Sequence, residues 1–263
     1  MEKQSSSSSV CEEISQKHHF GDGIREKTEN ILHKITDNIF ASAGIKFIRI
    51  EQEHTELIIQ FLNTNFLPYD LITKAHGVTE DKVFNSTVEV CIREGICVMA
   101  TDKHGDVIGV HLASIYRRGD WIKKVESSVC VGSMFDWSAA AEAREVNNKL
   151  LRLLGYNVWG LFDGQDCRVV AGDILICTSK ESPFIGLGSE LLRHGEIAAR
   201  EHECDLALCV TTDSYTQSIL RDCGYTLRSV VVLYDFRDEN GVLYLKDVDE
   251  DATARVLCKN IRL

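Results

Sequence analysis

The sequence is short of positive charge. Lys and Arg number 29 against 40 Asp and Glu, a formal net charge of -11 over 263 residues, and a surface of that sign repels phosphate backbones unless a local basic patch overrides it. No such patch is visible along the chain, so nucleic acid is not expected as a partner. The same acidic field would concentrate cationic small molecules, and it serves equally as a solubility device. Metal-ligand spacing is missing too. The ten cysteines stand at 11, 91, 97, 130, 167, 177, 204, 209, 223 and 258, with no Cys-x-x-Cys pair and no histidine in ligand spacing, so no metal is expected. No apolar stretch approaches the ~18 residues of a membrane span, and the polar start, Met1 to Ser9, does not read as a leader peptide. Cys177 and Cys209 lie inside apolar runs, where a reduced thiol behaves as a small hydrophobe. Together these features indicate a reducing, cytoplasmic setting and no membrane partner. Proline is scarce: the chain has two, Pro68 and Pro183.

What is present reads as one catalytic unit with a tail, since hydrophobic residues make up 44% and charged residues 26%, near ordinary globular values. Residues 1–24, with Ser5 to Ser9 and scattered charges, are read as a disordered tail. Residues 25–44 follow as a short helix and connection, Ile31, Leu32, Ile35 and Ile39 recurring at helical spacing. The domain is expected over 45–263. It opens with a strand at 46–50 and a helix from Glu53 to Phe66, then a loop from Leu67 to Gly77 and a helix from Thr79 to Glu94. The runs Ile96 to Thr101 and Val107 to Tyr116 flank Asp102-Lys103-His104-Gly105-Asp106 and predict an antiparallel hairpin. Residues 117–136 read as irregular and Ala139 to Leu154 as a helix. Strands are predicted at Val169 to Thr178, Leu206 to Thr211 and within Tyr225 to Phe236, with Val242 to Leu245 the last candidate; helices are predicted at Ser189 to Arg200 and Ser214 to Cys223. This order gives a mixed-sheet α/β (α+β) layer architecture, not a doubly wound repeat.

The most informative segment joins the strand ending at Thr178 to the following helix through Ser179-Lys-Glu-Ser-Pro-Phe184-Ile185-Gly186-Leu187-Gly188-Ser189. A buried strand leading into a Gly-x-Gly turn leaves the N-H groups of Phe184 to Ser189 converging outside a helix N-terminus, where the dipole also favours an anion such as pyrophosphate. A side chain at Gly186 or Gly188 would obstruct either the turn's dihedral angles or the approach of ligand oxygens. A plain strand-to-helix connection would use the same glycines. No Gly-Lys-Ser/Thr follows and the third glycine of a dinucleotide fingerprint is absent, which disfavours ATP and NAD.

Strand, Gly186-Leu187-Gly188, amphipathic helix, the strand Leu206 to Thr211, short helix and Gly224-Tyr225 together resemble the GNAT superfamily of N-acetyltransferases over about residues 45 to 236. The resemblance implies a largely antiparallel central sheet with one splayed parallel strand pair and helices on both faces. It also implies acetyl-CoA as co-substrate, its pyrophosphate on the turn and its thioester beside Ile176, Cys177 and Thr178. The position three before Gly186, Gln or Arg in that superfamily, is Pro183 here. Within the superfamily the chain is most similar to the insect-type arylalkylamine N-acetyltransferases. Their Phe-x-x-Asp-Glu-Pro-Leu-like segment matches Phe66-Leu-Pro-Tyr-Asp70-Leu-Ile72, which puts Asp70 where those enzymes carry a catalytic glutamate.

The implied reaction acetylates a small primary amine in a ternary complex. An alkylammonium of pKa ~10 has no lone pair at neutral pH, so transfer needs a base, and Asp70 is the candidate. A loop aspartate serves equally as a helix cap or turn residue. An oxyanion would meet a main-chain N-H near Ile176 to Thr178. Cys177 reads as core packing and not as a nucleophile. Thr212 and Thr216 align with two serines that the insect-type enzymes use near the thioester, and either hydroxyl could return a proton to the thiolate; Thr212 also suits an N-cap. The superfamily's tyrosine acid is replaced by Leu220. Tyr116, Trp121, Phe135, Trp137 and Trp159 are candidates for an aryl pocket or simply for the core. Polyamine or peptide N-terminal acetylation, and a silent acyl-CoA-binding module, are the competing readings; the residues leave the oligomeric state open.

Overall fold

The structure is a computed structural model that describes residues 34–79, 81–118, 141–156, 158–159, 166–246 and 248–262. The expected tail, the start of the N-terminal helix and most of the irregular stretch 117–136 lie outside these residues. The chain divides into two compact units, Met1–Lys46 and Phe47–Leu263. In the first, residues 34–42 are helical. That helix stops where Gly44 takes φ +78° and the Ile45 N-H reaches back to the Phe40 carbonyl at 2.9 Å, a left-handed glycine closure.

From Lys46 onward the elements run β1 (Lys46–Arg49), a single 3-10 turn (Gln52–His54), α1 (Thr55–Asn65), α2 (Leu71–Ala75), α3 (Lys82–Arg93), β2 (Val98–Thr101), β3 (Val107–Arg117) and α4 (Ala141–Leu153). They continue with β4 (Val169–Thr178), α5 (Leu187–Glu201), β5 (Leu206–Thr211), α6 (Ser214–Asp222), β6 (Thr226–Val232) and β7 (Thr253–Asn260). The described strands form one seven-stranded sheet in the order β1-β2-β3-β4-β5-β7-β6, antiparallel wherever its pair register is defined except at β4-β5. The mixed sheet follows the sequence expectation. No helix among the described residues is long and apolar enough to cross a membrane.

Four details differ from that expectation. The loop after α1 contains the five-residue helix α2. Helix α3 begins at Lys82 and not at Thr79, capped by Asp81, whose Oδ1 accepts from the Phe84 N-H at 3.2 Å. Helix α5 begins at Leu187, so Gly188 lies in its first turn. Val242 to Leu245 makes only the isolated bridge Arg237 to Leu243, and the last strand is β7, inserted between β5 and β6.

Alternation along β3 sends neighbouring residues to opposite faces. Val110 and Leu112 join Ile58, Leu62, Phe84 and Val88 of α1 and α3 in one buried cluster. Gly109 and His111 face α5 instead: a Cβ at Gly109 would lie 2.6 Å from Leu191 Cδ1, and one at Gly195 would overlap the His111 imidazole. A second cluster joins Ala143, Val146 and Leu150 of α4, and Leu154 just after it, to Val170, Leu206, Leu208 and Val256 of β4, β5 and β7.

The feature that matters for the site is where β4 and β5 part. They pair in parallel only at Val170-Leu206 and Ala171-Ala207. Beyond that point each stays bonded to its outer neighbour: β4 to β3 as far as Gly109-Thr178, and β5 to β7 as far as Thr211-Arg255. Buried Asp205 pins the closed end. Its Oδ2 accepts from the N-H groups of Arg168 (2.7 Å) and Val169 (3.1 Å), its own N-H donates to the Val169 carbonyl (2.8 Å), and Arg262 meets Oδ1 at 2.8 Å.

His111 is 2% exposed, and neither ring nitrogen has a hydrogen-bond partner among the described residues. Burial pushes its pKa down to about 4, with the Arg49 charge adding to the shift. In the unfolded chain the imidazole takes its proton near pH ~6.5. The stability carried by the neutral ring is therefore complete above that value and is lost as the pH falls through the folded pKa. Between pH 7 and pH 4 the native chain should lose about 3 kcal/mol more than His111→Leu, read from urea unfolding at the two pH values; parallel losses would refute the assignment.

Candidate active site

The opening between β4 and β5 leads into a cleft of about 900 Å³. Its walls come from both apolar clusters, Phe66, Phe84, Val88 and Leu112 on one side and Ile72 and Leu150 on the other. Of the residues singled out from the sequence, Asp70, Ile176, Cys177, Thr178, Gly188, Thr212 and Thr216 all line this cleft. Phe184, Ile185, Gly186, Leu187 and Ser189 are not on its wall. Leu187 is buried beside Gly109, Ile185 is 98% exposed, and Ser189 bonds the Cys223 thiol.

Gly186 supplies the turn, with φ +85° as the N-cap of α5 and no side chain capping that end. The first main-chain bond there is Glu190 N-H to the Gly186 carbonyl at 3.1 Å. The N-H groups of Leu187, Gly188 and Ser189 precede it and have no intrahelical acceptor. Gly188 has a different reason for being small. A Cβ there would sit 2.8 Å from Ile219 Cδ1 of α6 and 3.8 Å from Ile176 Cγ2, so a larger side chain would press on α6 at the cleft wall.

Asp70 is the N-cap of α2 and half-buried at the cleft wall. Its Oδ1 accepts from the N-H groups of Ile72 (3.1 Å) and Thr73 (3.0 Å); Oδ2 is not used by either. Fully buried Thr73 locks the turn by donating its hydroxyl to the Leu67 carbonyl at 2.5 Å. Burial raises the Asp70 pKa above the usual carboxylate value, with the bonds from Thr73 and Ile72 opposing it. The capping role and an elevated basicity therefore coexist in one side chain.

The cap of α6 is Asp213 and not Thr212, its Oδ2 accepting from the Thr216 N-H at 2.6 Å. Thr212 is thereby left to the cleft. Burial pushes the Cys177 thiol up to about 12, which keeps it protonated and suits packing better than nucleophilic attack. Leu220 is fully buried, while Tyr215, 59% exposed, reaches the cleft wall.

The aromatic residues of the cleft are Phe66, Tyr69, Phe84 and Tyr215, with Phe66 stacked on Phe84 at 5.8 Å between ring centres. Of the aromatics named from the sequence, Tyr116 and Trp159 pack in the cluster around α4 and are not on the cleft wall, and Trp121, Phe135 and Trp137 lie outside the described residues. Acidic residues Asp213, Asp249 and Asp251 add negative charge to the wall, and Lys74, Lys180, Arg221 and Arg255 add positive charge.

No protein-family model matches the sequence, and no curated protein matches it. Solved structures do. Arylalkylamine N-acetyltransferase 2 from Aedes aegypti superposes with a TM-score of 0.70 at 18% identity, covering 83% of this chain and 99% of that one. The Drosophila melanogaster polyamine N-acetyltransferase, described as forming N-acetylagmatine, gives 0.64 at 13% identity over 82% and 99%. A mosquito arylalkylamine N-acetyltransferase-like protein, 5b, gives 0.64 at 19% identity over 82% and 99%. The chain has the fold of these acetyltransferases.

Sequence reasoning missed Gln217. It is 7% exposed on α6, lines the cleft, and donates its amide to the carbonyls of Thr211 (3.3 Å) and Thr253 (2.7 Å). Thr253 returns its hydroxyl to Gln217 Oε1 at 3.3 Å and receives Arg255 Nε at 3.0 Å. The open end of β5 is thus tied to β7 by a buried amide. Its one sequence signal was a polar residue on the inward face of α6. Gln217→Leu strands two carbonyls and should cost about 2 kcal/mol in urea unfolding; a change below about 0.5 kcal/mol would show that water replaces the amide freely.

Proposed function

We propose that this chain is an acetyl-CoA-dependent N-acetyltransferase of the GNAT type, acting on a small primary amine, preferentially an arylalkylamine. The observation that carries the proposal is the parting of β4 and β5 beyond Ala171 and Ala207, next to the uncapped start of α5 and into a cleft that also contains Asp70. The fold likeness supports the same reading. Main-chain N-H groups over 184–189 hold the pyrophosphate of the substrate, aided by the positive end of the α5 dipole. Pantetheine then runs through the gap, bringing the thioester carbonyl to Ile176, Cys177 and Thr178, where a main-chain N-H accommodates the oxyanion.

In this reading Asp70 removes a proton from the alkylammonium, directly or through water, and the amine lone pair attacks the thioester carbon. The tetrahedral adduct expels the thiolate and loses the excess proton on its nitrogen, which the hydroxyl of Thr212 or Thr216 relays to the sulfur. No covalent enzyme intermediate forms. The stacked Phe66 and Phe84 give an aryl group a flat apolar wall, which favours an arylalkylamine. Asp213, Asp249 and Asp251 favour a second reading, a polyamine with a further cation at that end of the cleft. Rates of thiol release with tyramine, serotonin, dopamine and spermidine decide between them, and no release with any amine would indicate a silent acyl-CoA-binding module. A cytosolic setting is supported by eight cysteines among the described residues that are not joined in disulfides.

Two variants test the chemistry. Asp70→Asn keeps the cap acceptor but removes the base, so thermal stability should hold while kcat falls at least about a hundredfold; undiminished kcat removes Asp70 from proton transfer. In the native enzyme kcat should rise with pH through a pKa above the ordinary carboxylate value, following the direction of the Asp70 shift. Ile185→Glu puts a carboxylate beside the phosphate site at a fully exposed position. It should weaken acetyl-CoA binding by about tenfold or more in calorimetry, with the melting temperature unchanged; equal affinity would move the phosphates elsewhere.

A further inference from the structure

The three positions before Gly186, Pro183, Phe184 and Ile185, carry no charge. From Ser179 to Ser189 the one cation is Lys180. Lys180 lines the cleft, but its ammonium rests on the face of Tyr69, 3.0 Å from the ring centre. Tyr69 is 53% exposed and immediately precedes Asp70. The contact therefore joins the loop that leads into α5 to the loop that leads into α2, at the wall of the same cleft.

We propose that Lys180 is the side-chain phosphate ligand of this site, and that Tyr69 holds its ammonium until the phosphates of acetyl-CoA displace the ring. The inference rests on the acetyl-CoA reading above. Relative strengths set the direction of exchange. A cation over an exposed aromatic ring contributes a factor of about two to five in an equilibrium. A charge-assisted bond from an ammonium to phosphate contributes about tenfold or more. Lysine is suited to the switch because its flexible stem carries a point charge between two acceptors without a fixed fork geometry. Release of Tyr69 also changes what borders Asp70. Binding of the phosphates is thus coupled to the loop that carries the base, and Tyr69 is a positioning residue while Lys180 is a binding residue.

The experiment compares the full-length native chain with Lys180→Met, Tyr69→Phe and Tyr69→Leu. Affinity for acetyl-CoA is read by calorimetry, and kcat/KM by thiol release with acetyl-CoA and with the phosphate-free thioester S-acetyl-pantetheine. Lys180→Met should weaken acetyl-CoA affinity about tenfold and flatten its salt dependence, and should lower kcat/KM for acetyl-CoA about tenfold more than for the phosphate-free thioester. Tyr69→Phe keeps the π face and should match the native chain. Tyr69→Leu frees the ammonium and should tighten acetyl-CoA binding by about two- to fivefold. Equal losses with both thioesters in Lys180→Met would overturn the phosphate role by showing a general defect, and so would unchanged affinity for acetyl-CoA. Weaker binding in Tyr69→Leu would overturn the exchange. A native chain that binds no acetyl-CoA would refute the acetyltransferase reading itself, a different result from a bound cofactor indifferent to Lys180.

Discussion

Two parallel strands that begin paired and then separate are the constraint on which the rest of this molecule depends. Separation inside a sheet leaves main-chain groups without a ladder partner, a penalty that must be met by outer neighbours or by a ligand. Here β3 holds β4 and β7 holds β5 along the whole opening. Asp205 fixes the closed end through the consecutive main-chain N-H groups of Arg168 and Val169, with Arg262 compensating its charge. Gln217 fixes the open end by linking Thr211 of β5 to Thr253 of β7. A carboxylate and an amide, each buried and each fully engaged, hold the gap open against regular pairing.

The chemistry follows from what borders that gap. The start of α5 supplies a partial positive charge and unbonded N-H groups at one side. The short helix α2 brings Asp70 to the cleft wall, and burial there makes the carboxylate a stronger base than it would be in water. The cap bonds to Oδ1 lower that basicity in part, but burial outweighs them. Gly188 makes a related contribution: by letting α5 and α6 approach closely at Ile219, it brings the helix that follows β5 to the same cleft as the helix that follows β4.

The strands β4 and β5 were legible residue by residue, since both are apolar-rich runs, interrupted in β4 only by Gly172 and Asp173 before the closing Thr178. So was Asp70 as a residue of interest, though only through resemblance; its capping partners come from a five-residue helix too short to show a period. The final strand was not legible. Thr253 to Asn260 carries Arg255 and Lys259 within it, follows an acidic stretch, and earns its place only by pairing with β5 and β6, contacts far apart in sequence. Gly-x-Gly was read as a turn because glycine signals a left-handed residue, yet only Gly186 has positive φ, and Gly188 is small for a neighbour that only the tertiary fold supplies. Gln217, Lys180 and Tyr69 escaped for the same reason.

A crystal structure of the chain with bound acetyl-CoA tests the role of the opening most directly. The acetyl carbonyl should lie between Ile176 to Thr178 on β4 and Val210 to Thr212 at the end of β5, with the linked phosphates against the N-H groups of residues 184–189. A complex in which β4 and β5 pair regularly past Ala171 and Ala207, or in which the coenzyme lies outside the cleft, would contradict it.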